Sequence, residues 1–173
     1  MRVVLIRHAK SDHPSGVTDH ERPLNARGRR DAPEIGAWLA KNVQLTDGAT
    51  VLVSSARRAQ ETWAGARTEL THAWEVVAPA TEPRIYEASP AILRAVLREA
   101  SEGAGGDLVA LVGHSPGLPL LLSELSAPSD LRSEALSHFP TAAVAVLETE
   151  ADAATACAGL GRFEVSSFAI PRG

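Results

Sequence analysis

Val3-Val4-Leu5-Ile6-Arg7-His8 sets four apolar residues directly before a guanidinium and an imidazole. Two later stretches repeat that order. Thr50-Val51-Leu52-Val53 runs into Ser54-Ser55-Ala56-Arg57-Arg58, and Leu108-Val109-Ala110-Leu111-Val112 runs into Gly113-His114-Ser115-Pro116-Gly117. Apolar residues at successive positions predict strands buried on both faces of a sheet. Trp74-Glu75-Val76-Val77 and Ala143-Val144-Ala145-Val146-Leu147 are further strand candidates. The more polar Phe163-Glu164-Val165-Ser166-Ser167-Phe168 suits an edge.

Helical spacing falls between these runs. Residues 25–42 place Ile35, Trp38 and Leu39 on one stripe behind Asn25, a residue suited to the N-cap. Pro33 predicts either a kink or a start near that point. Residues 57–70, 90–100 and 116–125 also read as helices, with Ile92, Leu93, Val96 and Leu97 sharing a face and Pro90 and Pro116 suited to first turns. Gly103-Ala104-Gly105-Gly106 reads as a loop, and residues 126–140 as a loop with a short helix. The alternation predicts an α/β fold: a single three-layer domain over residues 1–173, with a mostly parallel central sheet and helices on both faces.

Composition narrows the function. The 173 residues are 45% hydrophobic and 22% charged, which fits a globular chain and excludes a disordered one. A net charge of −4 argues against gripping nucleic acid through overall charge, although a local basic pocket is allowed. No apolar run approaches the ~18 residues of a membrane span, and the N-terminal apolar run is too short for a signal peptide. A cytoplasmic protein without a membrane partner is expected. The single cysteine, Cys157, excludes an intrachain disulfide and is expected to be a packed thiol.

Ligands of open α/β sheets bind beyond the carboxyl ends of the strands. If the three strands above are parallel neighbours, His8, His114, Arg7 and an arginine of the 57–58 pair converge there. The helix near Pro116 aims its N-terminus at the same place. Arginine forks suit phosphoryl oxygens, and a neutral imidazole is a nucleophile. Repulsion from the arginines is expected to keep that imidazole neutral. Taken singly, each residue fits a solvated loop equally well, and residue types alone leave both readings open.

The ordered set Leu5-Ile6-Arg7-His8-Ala9-Lys10-Ser11, residues 19–33, residues 54–62, Arg84-Ile85-Tyr86-Glu87-Ala88-Ser89 and Val112-Gly113-His114-Ser115-Pro116-Gly117-Leu118 resembles the histidine phosphatase superfamily, which has the phosphoglycerate-mutase-like fold. Within it, the chain resembles the branch of SixA-type phosphohistidine phosphatases. The resemblance implies that His8 is the nucleophile that becomes phosphohistidine. It implies that Arg7 and Arg58 bind the phosphoryl group, with Arg57 a surface residue, and that His114 donates to the phosphoryl oxygens. Glu87 is the positional candidate for a general acid, with Asp12 a lesser one. Ala9 and Ser115 stand where glycine and asparagine are common. Pro14 stands where mutase-like members often carry asparagine, which makes mutase chemistry less supported.

No cofactor is implied, and no metal. The spacing of His8, Asp12, His13 and His20 fits no zinc pattern. The expected activity is hydrolysis of a phosphoryl group, most specifically from a histidine-phosphorylated protein. The alternatives are a small-molecule phosphomonoesterase on the same site and a phosphate-binding regulatory module with little turnover. No connection is long enough for a lid domain, so a shallow, open site is expected.

Overall fold

The computed structural model describes all residues except 46–47, 71–73, 75–76, 105–107, 152–154 and 157–162. In chain order the elements are β1 (Arg2–Arg7), α1 (Ala26–Asn42), β2 (Thr50–Ser54), α2 (Arg57–Ala66), β3 (Ala80–Glu82), α3 (Pro90–Ala104), β4 (Leu108–Gly113), α4 (Gly117–Leu125), α5 (Asp130–Ser137), β5 (Val144–Glu148) and β6 (Glu164–Ala169). Short 3₁₀ turns, Arg67–Glu69 and Pro83–Ile85, follow α2 and β3.

One six-stranded sheet runs in the order β3-β2-β4-β1-β5-β6. The pairs β3–β2, β2–β4 and β4–β1 are parallel, whereas β5 is antiparallel to both β1 and β6. The expected α/β architecture is therefore present, with β5 reversed. Alternate residues of the apolar runs point to opposite faces. Val3 and Leu5 of β1 join a core with α3 and α4, through Leu93, Val96, Leu97, Leu118 and Leu122. Val4 and Ile6 join a second core with α1 and α2, through Ile35, Leu39, Ala59 and Trp63. A strand between two cores must be apolar at every position, which is why these runs do not alternate.

Helix α1 starts at Ala26, with the Asn25 side chain accepting from the Gly28 N–H, and continues through Pro33. Ile92 is 44% exposed and does not share the buried face of α3 with Leu93, Val96 and Leu97. The loop expected at residues 103–106 begins later, because α3 runs to Ala104. Of the strand expected at residues 74–77, residues 75–76 lie outside the described residues and Trp74 and Val77 are not in a strand; Cys157 lies outside the described residues. The strand seen beside β2 is instead β3, and β6 takes the other edge of the sheet. Among the described residues no helix is long and apolar enough to cross a membrane.

Helix α1 meets α2 through Gly36, where a Cβ would lie 1.9 Å from the Ala66 carbonyl oxygen. Gly36→Ala is expected to destabilise the protein by about 1–3 kcal/mol through overpacking against backbone that cannot retreat. Urea unfolding measures it, and an unchanged midpoint would contradict this packing.

Candidate active site

The parallel register of β1 and β4 pairs Arg7 with Gly113. The residues that follow, His8 and His114, therefore leave the sheet side by side. Their ring centroids lie 5.1 Å apart, and the His8 N–H donates to the Gly113 carbonyl at 3.0 Å. On the other side of β4, Ser54 ends β2 and its Oγ lies 2.8 Å from His114 Nε2. Helix α2 begins three residues later and carries Arg58 inward, where its Nε–H donates to His8 Nε2 at 3.2 Å. Arg57 turns outward and pairs with Glu61 at 2.7 Å. Three strand ends and one helix start thus assemble His8, Arg58 and His114, which are 6–8% exposed, beside a half-buried Arg7.

These four side chains line a cavity of about 730 Å³, together with Glu87, Lys10, Arg22 and residues 115–117 ahead of and opening α4. The volume is within the usual range for small-ligand pockets, and the cavity is partly open to solvent. Glu87 lies on the cavity wall and is exposed. Its φ of 51° is left-handed, a conformation that costs a residue with a Cβ about 1 kcal/mol or more. Asp12 does not line the cavity, and its carboxylate accepts from the His13 N–H at 2.9 Å.

The His8 ring has a defined tautomer. Its Nδ1 lies 2.7 Å from the Ala9 carbonyl oxygen. A carbonyl only accepts, so Nδ1 carries the hydrogen and the Nε2 lone pair faces Arg58. Burial pushes the imidazole down to about 3, opposed by the Ala9 bond and helped by repulsion from His114, Arg58 and Arg7. Desolvation rather than the arginines is thus the leading cause of neutrality. His114 is pushed down to about 4, first by burial and then by Arg58. Its Nδ1 is buried without a hydrogen-bond partner among the described residues.

Sequence reasoning assigned no role to Asp19, Arg22, Tyr86 or Ser54. Asp19 holds Arg58 twice, through its backbone oxygen to Nη1 at 2.6 Å and through Oδ2 to Nη2 at 3.0 Å. Arg22 donates to Asp19 Oδ1 at 2.7 Å, and the Tyr86 hydroxyl donates to Oδ2 at 2.8 Å. Hydrogen bonds from Arg22, then Tyr86 and Arg58, hold the Asp19 carboxyl well below the usual carboxylate range. Tyr86 also lies beneath the Arg58 guanidinium, 5.8 Å from carbon to ring centre, and edge-on to His114. An Asp and an Arg three residues apart, and the one tyrosine of the chain, were the available signals.

Both imidazole shifts are downward, and the sign follows. Unfolding restores each ring to a pKa near 6.5, so below about that pH the unfolded chain binds protons that the folded chain refuses. Stability is full above that pH and falls as pH drops toward 4, by up to about 1.4 kcal/mol per unit for each ring. Asp19 acts in a more acidic window: its contribution is present above about pH 3.9 and is lost below it. Urea unfolding at pH 7 and pH 5 is expected to show a loss that shrinks in His8→Asn. Equal losses would contradict a buried, neutral His8. Among the described residues no cluster of three or more His, Cys, Asp or Glu is arranged to hold a metal.

Comparison with known proteins places this geometry in a family. The model of the histidine phosphatase superfamily (branch 1) matches residues 3–89. An uncharacterised protein of Mycobacterium tuberculosis, Rv1276c, is 36% identical over 168 residues, covering 92% of this chain and 99% of the relative. A structure from Nakamurella multipartitia bearing the name phosphohistidine phosphatase SixA superposes with a TM-score of 0.82 at 26% identity, over 98% of this chain and 95% of that one. A structure of the same name from Agrobacterium tumefaciens superposes with a TM-score of 0.76 at 26% identity, over 98% of both chains.

Proposed function

The chain belongs to the histidine phosphatase superfamily and is a phosphatase, and from that premise we propose that it removes phosphoryl groups from protein phosphohistidine through a covalent intermediate on His8. The observation that carries this reading is the His8 tautomer. The Ala9 carbonyl occupies the Nδ1 hydrogen and leaves Nε2 unprotonated at the cavity floor.

The chemistry follows in two displacements. His8 Nε2 attacks phosphorus, a new P–N bond forms, and the P–N bond to the substrate imidazole breaks. The leaving imidazole takes up a proton and departs neutral. Water then attacks phospho-His8, and phosphate leaves as Nε2 regains its lone pair. Arg7 and Arg58 meet the charge on the transferring oxygens. Arg58 Nε–H, which faces Nε2 before substrate arrives, turns to a phosphoryl oxygen once phosphorus occupies that point. With the Ser54 hydroxyl donating to His114 Nε2, the single hydrogen of a neutral His114 sits on the unpartnered Nδ1 and donates to the phosphoryl group. Glu87 is the candidate proton source for the leaving group. Its left-handed backbone on the cavity wall supports a functional placement, since such strain clusters at active sites.

The second reading, a small-molecule phosphomonoesterase, draws on the cavity volume and on a carboxylate at its wall. An ester oxygen is a poorer leaving group than imidazole and depends more on an acid. The test compares kcat/KM for a histidine-phosphorylated phosphotransfer protein with a panel of phosphate esters, for wild type and Glu87→Gln. The phosphoprotein is expected to win by roughly tenfold or more (about 1.4 kcal/mol) and to lose little in Glu87→Gln. An ester that wins by that margin and collapses in Glu87→Gln would establish the second reading.

A further inference from the structure

We infer that Lys10 is a specificity-determining residue that binds a carboxylate next to the phosphohistidine of the protein substrate, an inference that rests on the P–N reading above. Lys10 lines the same cavity as His8 and is exposed. Its ammonium makes no hydrogen bond or ion pair among the described residues. The other cations of the cavity are engaged: Arg7 with the Phe139 carbonyl, Arg22 with Asp19 and Ser11, and Arg58 with Asp19 and His8.

The backbone that carries Lys10 is pinned. Its carbonyl accepts from the Asn25 N–H at 3.0 Å and lies against Gly28, where a Cβ would come within 2.1 Å of that oxygen. A fixed backbone with a free ammonium on a four-carbon stem suits an anion whose position varies by a few ångströms. Arg27, outside the cavity lining, donates to Thr141 on the wall at 3.1 Å and pairs with Asp31 at 3.5 Å, and the cavity carboxylate Asp19 is already bound by Arg22 and Arg58. The stretch of wall around Ala88, Leu93 and Leu120 is mostly apolar, interrupted by Ser89 and Ser115, and carries one acid, Glu87. The chain as a whole carries −4, so an acidic segment is repelled elsewhere and attracted at this part of the mouth.

The phosphoryl group is met by Arg7, Arg58 and His114, so Lys10 reads what lies beside it. A solvated ion pair of this kind is worth up to about 1 kcal/mol, roughly a fivefold preference, and weakens with salt.

The test uses two histidine-phosphorylated peptides identical except for Glu or Gln next to the phosphohistidine, with phosphoramidate as a third substrate for the wild type. The ratio of kcat/KM, Glu peptide over Gln peptide, is the readout, so each enzyme is its own control. A ratio of about 5 is expected for wild type and for Lys10→Arg, about 1 for Lys10→Gln, and below 1 for Lys10→Glu. One ratio common to all four enzymes, with the P–N substrates cleaved, overturns the role of Lys10 and leaves the proposed function standing. Failure of the wild type to cleave phosphoramidate and both peptides overturns the P–N reading, and Lys10 with it.

Discussion

His8→Ala is expected to lower kcat by ~10⁴-fold or more, because the loss removes the covalent route and not only one contact. The fold should survive. His8 lies beyond the end of β1, and its backbone bonds, from its N–H to the Gly113 carbonyl and from the Ala142 N–H to its own carbonyl at 3.2 Å, do not involve the side chain. Truncation also removes an imidazole whose burial disfavours its charged form. Steady-state kinetics with a phosphohistidine protein, beside a circular dichroism melt, separates the two effects. Activity within tenfold of wild type in a folded His8→Ala would contradict a nucleophilic role.

Arg58→Ala is expected to cost on the order of 10²–10³-fold in kcat/KM, and Arg57→Ala less than about twofold. The adjacent arginines differ by geometry alone. Arg58 is 6% exposed and reaches His8, whereas the Arg57 side chain is 52% exposed and reaches Glu61. Asp19→Asn should lie between them, at roughly tenfold. The amide keeps one acceptor but gives up the charge that fixes Arg58, and the Tyr86 hydroxyl and Arg22 compete for what remains. Parallel kinetics of the three variants measures the series, and equal, mild effects in Arg58→Ala and Arg57→Ala would show that α2 does not serve the site as described.

The sheet was legible because its central strands carry the signal at every position. β1 and β4 lie between two cores and tolerate no polar residue, so four or five consecutive apolar residues mark them. The reversal of β5 was not legible. Ala143-Val144-Ala145-Val146-Leu147 is buried on both faces like a parallel strand, and direction depends on the path of residues 126–143, which composition does not encode. Ile92 was misplaced because an apolar residue beside the α3 stripe looks the same in sequence whether the neighbouring surface is covered or open. The convergence of His8, His114 and one arginine of the 57–58 pair followed from the residues after each strand, and the family resemblance singled out Arg58. The Asp19 network did not. Asp19 sits in a connecting segment, and its reach to Arg58 and Tyr86 spans 39 and 67 residues of sequence, a tertiary fact with no periodic trace.

The central claim is a phosphoryl group carried on His8. Wild-type enzyme mixed briefly with a substrate protein bearing a radiolabelled phosphohistidine, then quenched in alkali and digested, is predicted to yield one labelled peptide from this chain. The label should lie on His8, survive base, be released by acid, and be absent from His8→Ala. Label on another residue, or label retained by His8→Ala, would contradict the account.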